Sequence, residues 1–503
     1  MTIVSEKYAE LKEHLRVLKG RIVFRGDIVR DENGALGVFQ NLAANPTSVQ
    51  GLNHCIAYGE LPGHKTTQAD AIKAYVQSIL KSKHKTWVSL PYELWPKGWE
   101  KEFTKPVVLL IKSLYGHPEA GAHWENHLTK ILIDPKIMKG EKVPEFPSVF
   151  FFQESRLMLA VYVDDFTLSG PAEAHDAFWT LLEKHVDLED YTPLGRVLGR
   201  QHVPVIFEGE RALAFDMTEY AAQACELYTS LSGSKPLRKA ATPFVPDGSL
   251  CEADDDVRGE LAGDACSVLM KDLWLGRLAR PDLIKPIGFL ATQVQNWTVN
   301  CDKQLYRLMC YIHTTRDYQL VGRILDPADQ LKLVLFVDAD FCGDRLHTKS
   351  TSGGFLVLVG PRSFFPLAWV SKTQTSTSRS TTESETISLA HSLFLEALPA
   401  LSLWEQLLNR TVELWCLEDN EATIKVVQKG FSAKLRHIGR VHKVNLGSLS
   451  ETFAEPNIML MYVNTKEQAA DIFTKGLEAC KWQPALDMLQ IVPGHLLKPI
   501  KMG

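Results

Sequence analysis

Leu157-Met-Leu-Ala-Val-Tyr-Val-Asp-Asp-Phe-Thr-Leu-Ser-Gly170 decides how the rest of the chain is read. An apolar run leads to Val163, two carboxylates follow, and a second β-prone run, Phe166 to Leu168, ends at Ser169-Gly170. That pattern predicts a hairpin with Asp164 and Asp165 at its tip. Adjacent acids at a tight turn repel each other strongly at low dielectric. A divalent cation offsets the repulsion, because hard carboxylate oxygens suit Mg²⁺; a solvated Asp-Asp turn is the plainer alternative.

The chain around this stretch has 503 residues, 45% of them hydrophobic and 23% charged, the composition of a soluble globular protein with several domains. Its formal net charge of −5 supplies no overall basic field, so any contact with nucleic acid must come from local patches. Nine scattered cysteines without a Cys-x-x-Cys pair argue against a disulfide framework or a zinc module, and for a reducing compartment. Neither a signal-type N-terminus nor an uninterrupted apolar run of membrane-spanning length is present, so a soluble intracellular chain with no membrane partner is expected.

Before the hairpin, Leu18-Lys-Gly-Arg-Ile-Val-Phe-Arg-Gly26 alternates basic and apolar residues as a half-exposed strand does. Its cations are either a solvated face or a row for phosphates, with Lys19, Arg21 and Arg25 in place. Asp70 stands where an extended run gives way to a helix-prone segment bearing Ile72, Tyr75, Val76 and Ile79. It is an N-cap or a third ligand beside the hairpin. Val107 to Gly116 reads as a buried strand, the segment from His117 to Leu132 as a helix, and Pro171 to His185 as an amphipathic helix. Between about Val205 and Gln330 the signal is weaker: a linker-like Thr242-Pro-Phe-Val-Pro-Asp-Gly-Ser249, then helices near Ala262 to Leu278 and Asp302 to Thr315.

The last third has its own rhythm. Strands are expected over Leu331 to Asp340, Gly353 to Gly360 and Phe364 to Ser371, then a helix from Glu383 to about Leu408. A strand Val412 to Leu417 that runs into Glu418-Asp419-Asn420 and a short helix, then a strand Ile458 to Val463 and a helix Glu467 to Leu477, complete the order βββαβαβα. Asp338, Glu385, Asp419 and Asp471 each fall at a strand end or helix start, and four converging acids are costly to fold unless cations neutralise them. From Ala422 to Ser450 the chain carries Lys425, Lys429, Lys434, Arg436, Arg440, Lys443 and two histidines but no acid: a solvated loop, or a patch that tracks a hybrid backbone.

Several motifs now stand in one order. They are Asp70-Ala-Ile-Lys-Ala-Tyr75, Leu114-Tyr-Gly116 with Ala120 and Trp124, and Tyr162-Val-Asp-Asp165. Arg280-Pro-Asp282 and Thr314-Thr-Arg-Asp-Tyr-Gln-Leu320 follow, then Asp338-Ala-Asp340 with Lys349-Ser-Thr-Ser-Gly353. Thr382-Glu-Ser-Glu385, Asp419-Asn420, Arg436-His-Ile438 and Glu467-Gln-Ala-Ala-Asp-Ile-Phe-Thr-Lys475 close the series. Together, over roughly residues 15–480, they resemble the reverse transcriptase and ribonuclease H region of copia-type LTR retrotransposon polyproteins.

The resemblance implies an α/β (α+β multidomain) chain: a right-hand polymerase of fingers, palm and thumb, a connection, and a ribonuclease H-like βββαβαβα domain. The implied boundaries are 1–200 for fingers and palm, 201–245 for a thumb-like segment, 246–328 for the connection, 329–480 for the ribonuclease H-like domain and 481–503 for a tail. It implies RNA-directed DNA polymerisation at Asp70, Asp164 and Asp165, and hydrolysis of the RNA strand of a hybrid at Asp338, Glu385, Asp419 and Asp471. Asp340 and Glu383 are alternative ligands two positions off. Each site would take two Mg²⁺, or Mn²⁺. Lys19 and Arg21 would meet the incoming triphosphate, and Tyr75 would crowd a sugar 2′-hydroxyl. Glu119 departs from the family's more usual Gln, and an acid there would repel the triphosphate. Lys434, Arg436, His437, Arg440 and Lys443 would hold nucleic acid. Implied partners are an RNA template, a DNA primer, the hybrid and dNTPs, in a cytoplasmic virus-like particle and the nucleus. With neither an Asp-Thr/Ser-Gly protease motif nor an integrase-type Cys pair, a piece of a longer polyprotein is expected. The competing reading is a weakened or inactive nucleic-acid-binding relic, favoured by Glu119 and the abrupt start at Met1.

Overall fold

Strands Leu157–Tyr162 and Asp165–Pro171 pair antiparallel, Tyr162 against Asp165, across a two-residue turn of Val163 and Asp164. The expected hairpin is therefore present, with Asp165 opening its second strand. The computed structural model describes residues 2–7, 16–31, 33–39, 42, 44–246, 248–343 and 348–500. Two units are present: Met1–Gly59 with Gly63–Leu194, and Glu60–Pro62 with Gly195–Gly503.

The hairpin is the centre of a six-stranded antiparallel sheet in the first unit, with His64–Asp70 beside its second strand and Val149–Phe152 beside its first. Strand alternation sends Leu157, Leu159 and Val161 to one face, where they join Trp124, Leu128 and Leu132 of the helix Ala120–Ile133 and Phe178, Trp179 and Leu182 of the helix His175–Leu182. The opposite face takes the helix Val49–Gly59, whose Cys55 thiol reaches the carbonyls of Met158 and Thr167. With both faces covered, the strands read as continuous apolar runs.

Two expected elements come out shorter. The helix after Asp70 is one turn, Ala74–Gln77. Ile72 donates its N–H to the Asp187 carbonyl and the Gln77 amide bridges the carbonyls of Ile72 and Asp187, so the chain stays extended until Lys73, at φ +51°, turns it. Ile72 and Ile79 are left exposed. Likewise Val107–Leu109 is half of a two-stranded ribbon with Trp87–Ser89, and Val107 and Ile111 face solvent. The basic N-terminal run does form a strand, Val17–Ile22, against Thr2–Lys7.

In the second unit, the segments expected as thumb, connection and tail share one sheet. Strands Arg200–Phe207, Glu210–Asp216, Tyr318–Gly322 and Ile491–Pro493 lie side by side, all antiparallel. The end of the chain is thus part of the fold. A buried network ties it in: Arg280 Nη2 meets Asp282 Oδ2 at 2.7 Å, the Tyr311 hydroxyl donates to the same oxygen at 2.7 Å, and Trp482 Nε1 donates to the Tyr311 hydroxyl at 3.0 Å.

The last part of this unit is a five-stranded sheet in the order Phe364–Thr373, Thr351–Val359, Lys332–Asp340, Leu414–Glu418, Ile458–Tyr462. The first three strands meander antiparallel, and the last two run parallel to Lys332–Asp340. The crossover is the helix Thr381–Ser392, continued through a π turn into Leu398–Leu408. It is long and apolar enough to cross a membrane by composition, but it is a core helix, mostly buried. This is the ribonuclease H-like strand order. The expected helix Glu467–Leu477 is instead a pair of short turns, Thr465–Glu467 and Asp471–Phe473. Gln468 stays extended between them because its amide donates to the Val337 carbonyl at 2.8 Å.

Asp272, on the helix Ala265–Leu278, is fully buried with neither carboxyl oxygen hydrogen bonded, and burial pushes its pKa up to about 8. A carboxyl raised above its unfolded value of about 3.9 stabilises fully below that pH, and the contribution is lost as pH rises through about 8. Asp272→Asn should match the parent near pH 4 and exceed it by about 5 kcal/mol near pH 8, since the pKa is higher by roughly four, at about 1.4 kcal/mol for each unit. Urea unfolding at both pH values measures this, and equal gains at both would refute it.

Candidate active sites

Asp70 ends its strand directly opposite Asp165, and the Ala71 N–H donates to the Asp164 carbonyl at 2.7 Å. The first unit therefore brings all three expected acids to one sheet end. The turn that presents them is strained: Val163, a β-branched residue, sits at φ +59°. Such a conformation costs on the order of 1–3 kcal/mol and persists only when its surroundings hold it. Trp124 does so, donating its indole N–H to the Val163 carbonyl at 2.7 Å from the helix Ala120–Ile133.

Tyr75, on the one-turn helix after Asp70, packs against Tyr115 with ring centroids 4.7 Å apart. Burial and the Asp164 charge push both phenols up. The Arg21 guanidinium lies 5.8 Å over the Tyr115 ring. Gly116, at φ +86°, permits this: a Cβ there would lie 2.1 Å from the Phe24 carbonyl oxygen, and Phe24 donates to the Tyr115 carbonyl at 2.7 Å. The Leu-Tyr-Gly turn thus seats the basic N-terminal segment beside Tyr75 and Asp164. The Lys19 side chain lies outside the described residues. Glu119 is placed otherwise than expected. It is buried, its carboxylate accepts from the Ser82 hydroxyl, and it lies 3.8 Å from His123 Nε2. Its charge faces partners within the protein.

In the second unit Asp338, Asp419 and Asp471 each place one carboxylate oxygen within 4.8 Å of the others, and Glu385, Glu418 and Asp419 do the same. The four expected acids converge, and Glu418 is a fifth that the sequence reading missed. Parallel pairing of Lys332–Asp340 with Leu414–Glu418 sets their acidic ends side by side. Gly353, across from Asp338 in register, leaves room for Thr474: an added Cβ would lie 2.6 Å from the Thr474 methyl. The Thr474 hydroxyl accordingly donates to Asp338, and the Lys475 ammonium bridges Asp338 at 3.1 Å and Asp471 at 2.9 Å. Asp340 and Glu383, the alternatives, fall outside both groups among the described residues.

Electrostatics mark the cluster. Burial, then the neighbouring acids, hold Glu385 and Glu418 well above the carboxylate range, and the same causes push Asp471 up to about 6. One buried oxygen of Glu385 and one of Glu418 have no hydrogen-bond partner. Orphaned oxygens in an oxygen-only donor set fit a hard divalent cation. In the basic segment, Lys434, Arg436, Arg440 and Lys443 are exposed, whereas His437 turns its Nε2 to Glu383 at 2.8 Å.

Comparison with known proteins now bears on the first site. Residues 55–222 match the family model described as reverse transcriptase (RNA-dependent DNA polymerase). This stretch is a reverse transcriptase domain. Over 477 residues, 91% of this chain, the sequence is 24% identical to the transposon Ty1-NL2 Gag-Pol polyprotein of Saccharomyces cerevisiae, covering 25% of that relative. It is also 24% identical to the truncated transposon Ty1-A Gag-Pol polyprotein of the same yeast, covering 37% of it. The chain thus spans a quarter to about a third of the length of these curated relatives, both copia-type. Among solved structures, a ribonuclease H1 isolated from compost aligns with 28% of this chain and 92% of its own at 16% identity and a TM-score of 0.22. A foamy viral protease-reverse transcriptase in complex with dsDNA aligns with 79% of this chain and 68% of its own at 13% identity and a TM-score of 0.19.

Saturating Mg²⁺ should raise the melting temperature of the metal-free protein, and Glu418→Gln should shrink that increment by at least half, since one oxygen ligand and one charge are gone. Thermal melts with chelator and with Mg²⁺ measure it. An increment unchanged by the substitution would place the cation elsewhere than beside Glu418.

Proposed function

We propose that this chain copies RNA into DNA at the Asp70, Asp164 and Asp165 site and cleaves the RNA strand of RNA–DNA hybrids at the Asp338 cluster. It would do so as the enzyme region of a retrotransposon polyprotein. The observation that carries the reading is the gathering of acids into two separate groups, one at a hairpin tip and the adjoining strand end, the other where two parallel strands meet the crossover helix and a short turn.

In the first site Asp70, Asp164 and Asp165 would hold magnesium, and in the second Asp338, Glu385, Glu418, Asp419 and Asp471 would. When bound, the cations neutralise the charge that develops on the phosphate being attacked. The protein's own groups do the rest. Trp124 and the strained turn hold Asp164 in place, so the acids need no reorganisation as the primer hydroxyl attacks a dNTP α-phosphate. Arg21, stacked on Tyr115, presents a guanidinium suited to a triphosphate. Tyr75, whose phenol burial and then the Asp164 charge push up, offers a flat ring that would crowd a ribose 2′-hydroxyl. Because Glu119 is buried and partnered, its charge gives no ground for an inactive relic.

In the second site Lys475 pairs with Asp338 and Asp471, which keeps the acids together before a cation enters. The exposed Lys434, Arg436, Arg440 and Lys443 would bind the hybrid backbone by counterion release.

Removing a ligand at either site sacrifices several kcal/mol of charge stabilisation, equivalent to about a thousandfold in rate. Asp164→Asn should abolish primer extension on an RNA template and leave hybrid cleavage intact. Asp419→Asn should do the reverse. Undiminished extension by the first variant, or undiminished cleavage by the second, would remove the corresponding assignment.

A further inference from the structure

Glu383 stands two residues before Glu385 on the same helix, yet it points away from the acid cluster. Its side chain is completely buried, and His437 Nε2 at 2.8 Å and His442 Nε2 at 3.0 Å both converge on its Oε1. The Arg379 N–H donates to its other oxygen at 2.9 Å. A buried carboxylate survives only with such partners.

The two histidines come from the segment between the helices Glu421–Lys429 and Leu446–Thr452, which carries Lys434, Arg436, Arg440 and Lys443 on its outer side. Its regular structure is a single turn, Ile438–Val441. Leu435, Ile438 and Val444 are buried beneath it. Apolar contacts are non-directional, so they set how deep the segment sits but not where it lies along the surface. The directional hydrogen bond between His437 and Glu383 sets that position, with the His442 ring held in close contact beside it. The carboxylate is itself fixed to the cluster, because the Ser388 hydroxyl of the same helix donates to the Asp338 carbonyl at 2.7 Å.

We propose that Glu383, His437 and His442 form a clamp of positioning residues that aligns the basic segment with the acid cluster. The clamp thereby sets where the phosphates of a bound RNA–DNA hybrid lie. This rests on the hybrid-cleavage reading above. Both histidines turn Nε2 inward to Glu383, His437 through a hydrogen bond, while the neighbouring cations are exposed and face outward.

The test uses the full chain with Asp419→Asn, which stops cleavage, and a fluorescent RNA–DNA hybrid titrated over a salt series. Adding Glu383→Gln or His437→Ala should make log Kd less steep against log salt by about one to two counterions. His437→Gln, whose amide nitrogen reaches where Nε2 lies, should keep the parent slope. In the cleaving background Glu383→Gln should raise KM for the hybrid about tenfold with kcat within about twofold. Parallel salt slopes with only a lowered melting temperature would reduce the clamp to a fold-stabilising contact and overturn the proposal. If the parent shows no salt-dependent binding of the hybrid, the hybrid-cleavage reading itself fails, and the clamp with it.

Discussion

Five carboxylates, three from neighbouring strands or their ends, one from the crossover helix and one from a short turn, set the terms for the last third of the chain. Two unit charges about 4 Å apart repel by about 4 kcal/mol at a dielectric near 20, so several together cannot all stay ionised unaided. The structure shows two forms of relief. Lys475 inserts a cation between Asp338 and Asp471, and Glu385 and Glu418 are driven toward their neutral forms. Both are arrangements a divalent cation would replace. The details nearby follow from bringing Lys475 in: a glycine at 353 so that Thr474 can approach, and a broken helix over 467–477 so that the chain can turn back onto Asp338.

The first unit solves a different problem. Its three acids come from a tight turn and the adjoining strand end, so the difficulty is geometric. A two-residue hairpin needs left-handed backbone, and here it falls on Val163, a residue poorly suited to it. The strain is held by the Trp124 indole and by pairing on both sides of the hairpin. A rigid turn is what fixes two adjacent carboxylates relative to each other, since a relaxed one would swing them with thermal motion.

Which parts of this were legible in the sequence follows from the range of the forces involved. The hairpin, the three-stranded meander and the acids at strand ends are written in apolar runs a few residues long, and these are in place. Glu418 was missed because Asp419-Asn420 already supplied an acid at that strand end, and nothing in the local pattern tells that Glu418 also turns inward. The helix foreseen after Asp70 and the buried strand foreseen before Leu114 share one cause of failure. Apolar periodicity says a face could be buried, but Ile72, Ile79, Val107 and Ile111 find no cover in the fold. The tail looked separate because its pairing partner, Tyr318–Gly322, lies far away in sequence.

The choice between Glu383 and Glu385 shows why packing had to decide. Successive helical residues turn by about 100°, so a spacing of two puts these side chains nearly opposite each other. A spacing of three brings Ser388 back to the side of Glu385, and Ser388 is the residue that bonds the backbone of Asp338. The face bearing Ser388 must therefore be the one against the sheet and the acids, which leaves Glu383 to the other side. There it meets His437 and His442, residues that come more than fifty positions later and that no local reading of Thr-Glu-Ser-Glu could have paired with it. The motif fixes that two acids stand on this helix; the bond from Ser388 fixes which of them serves the cluster.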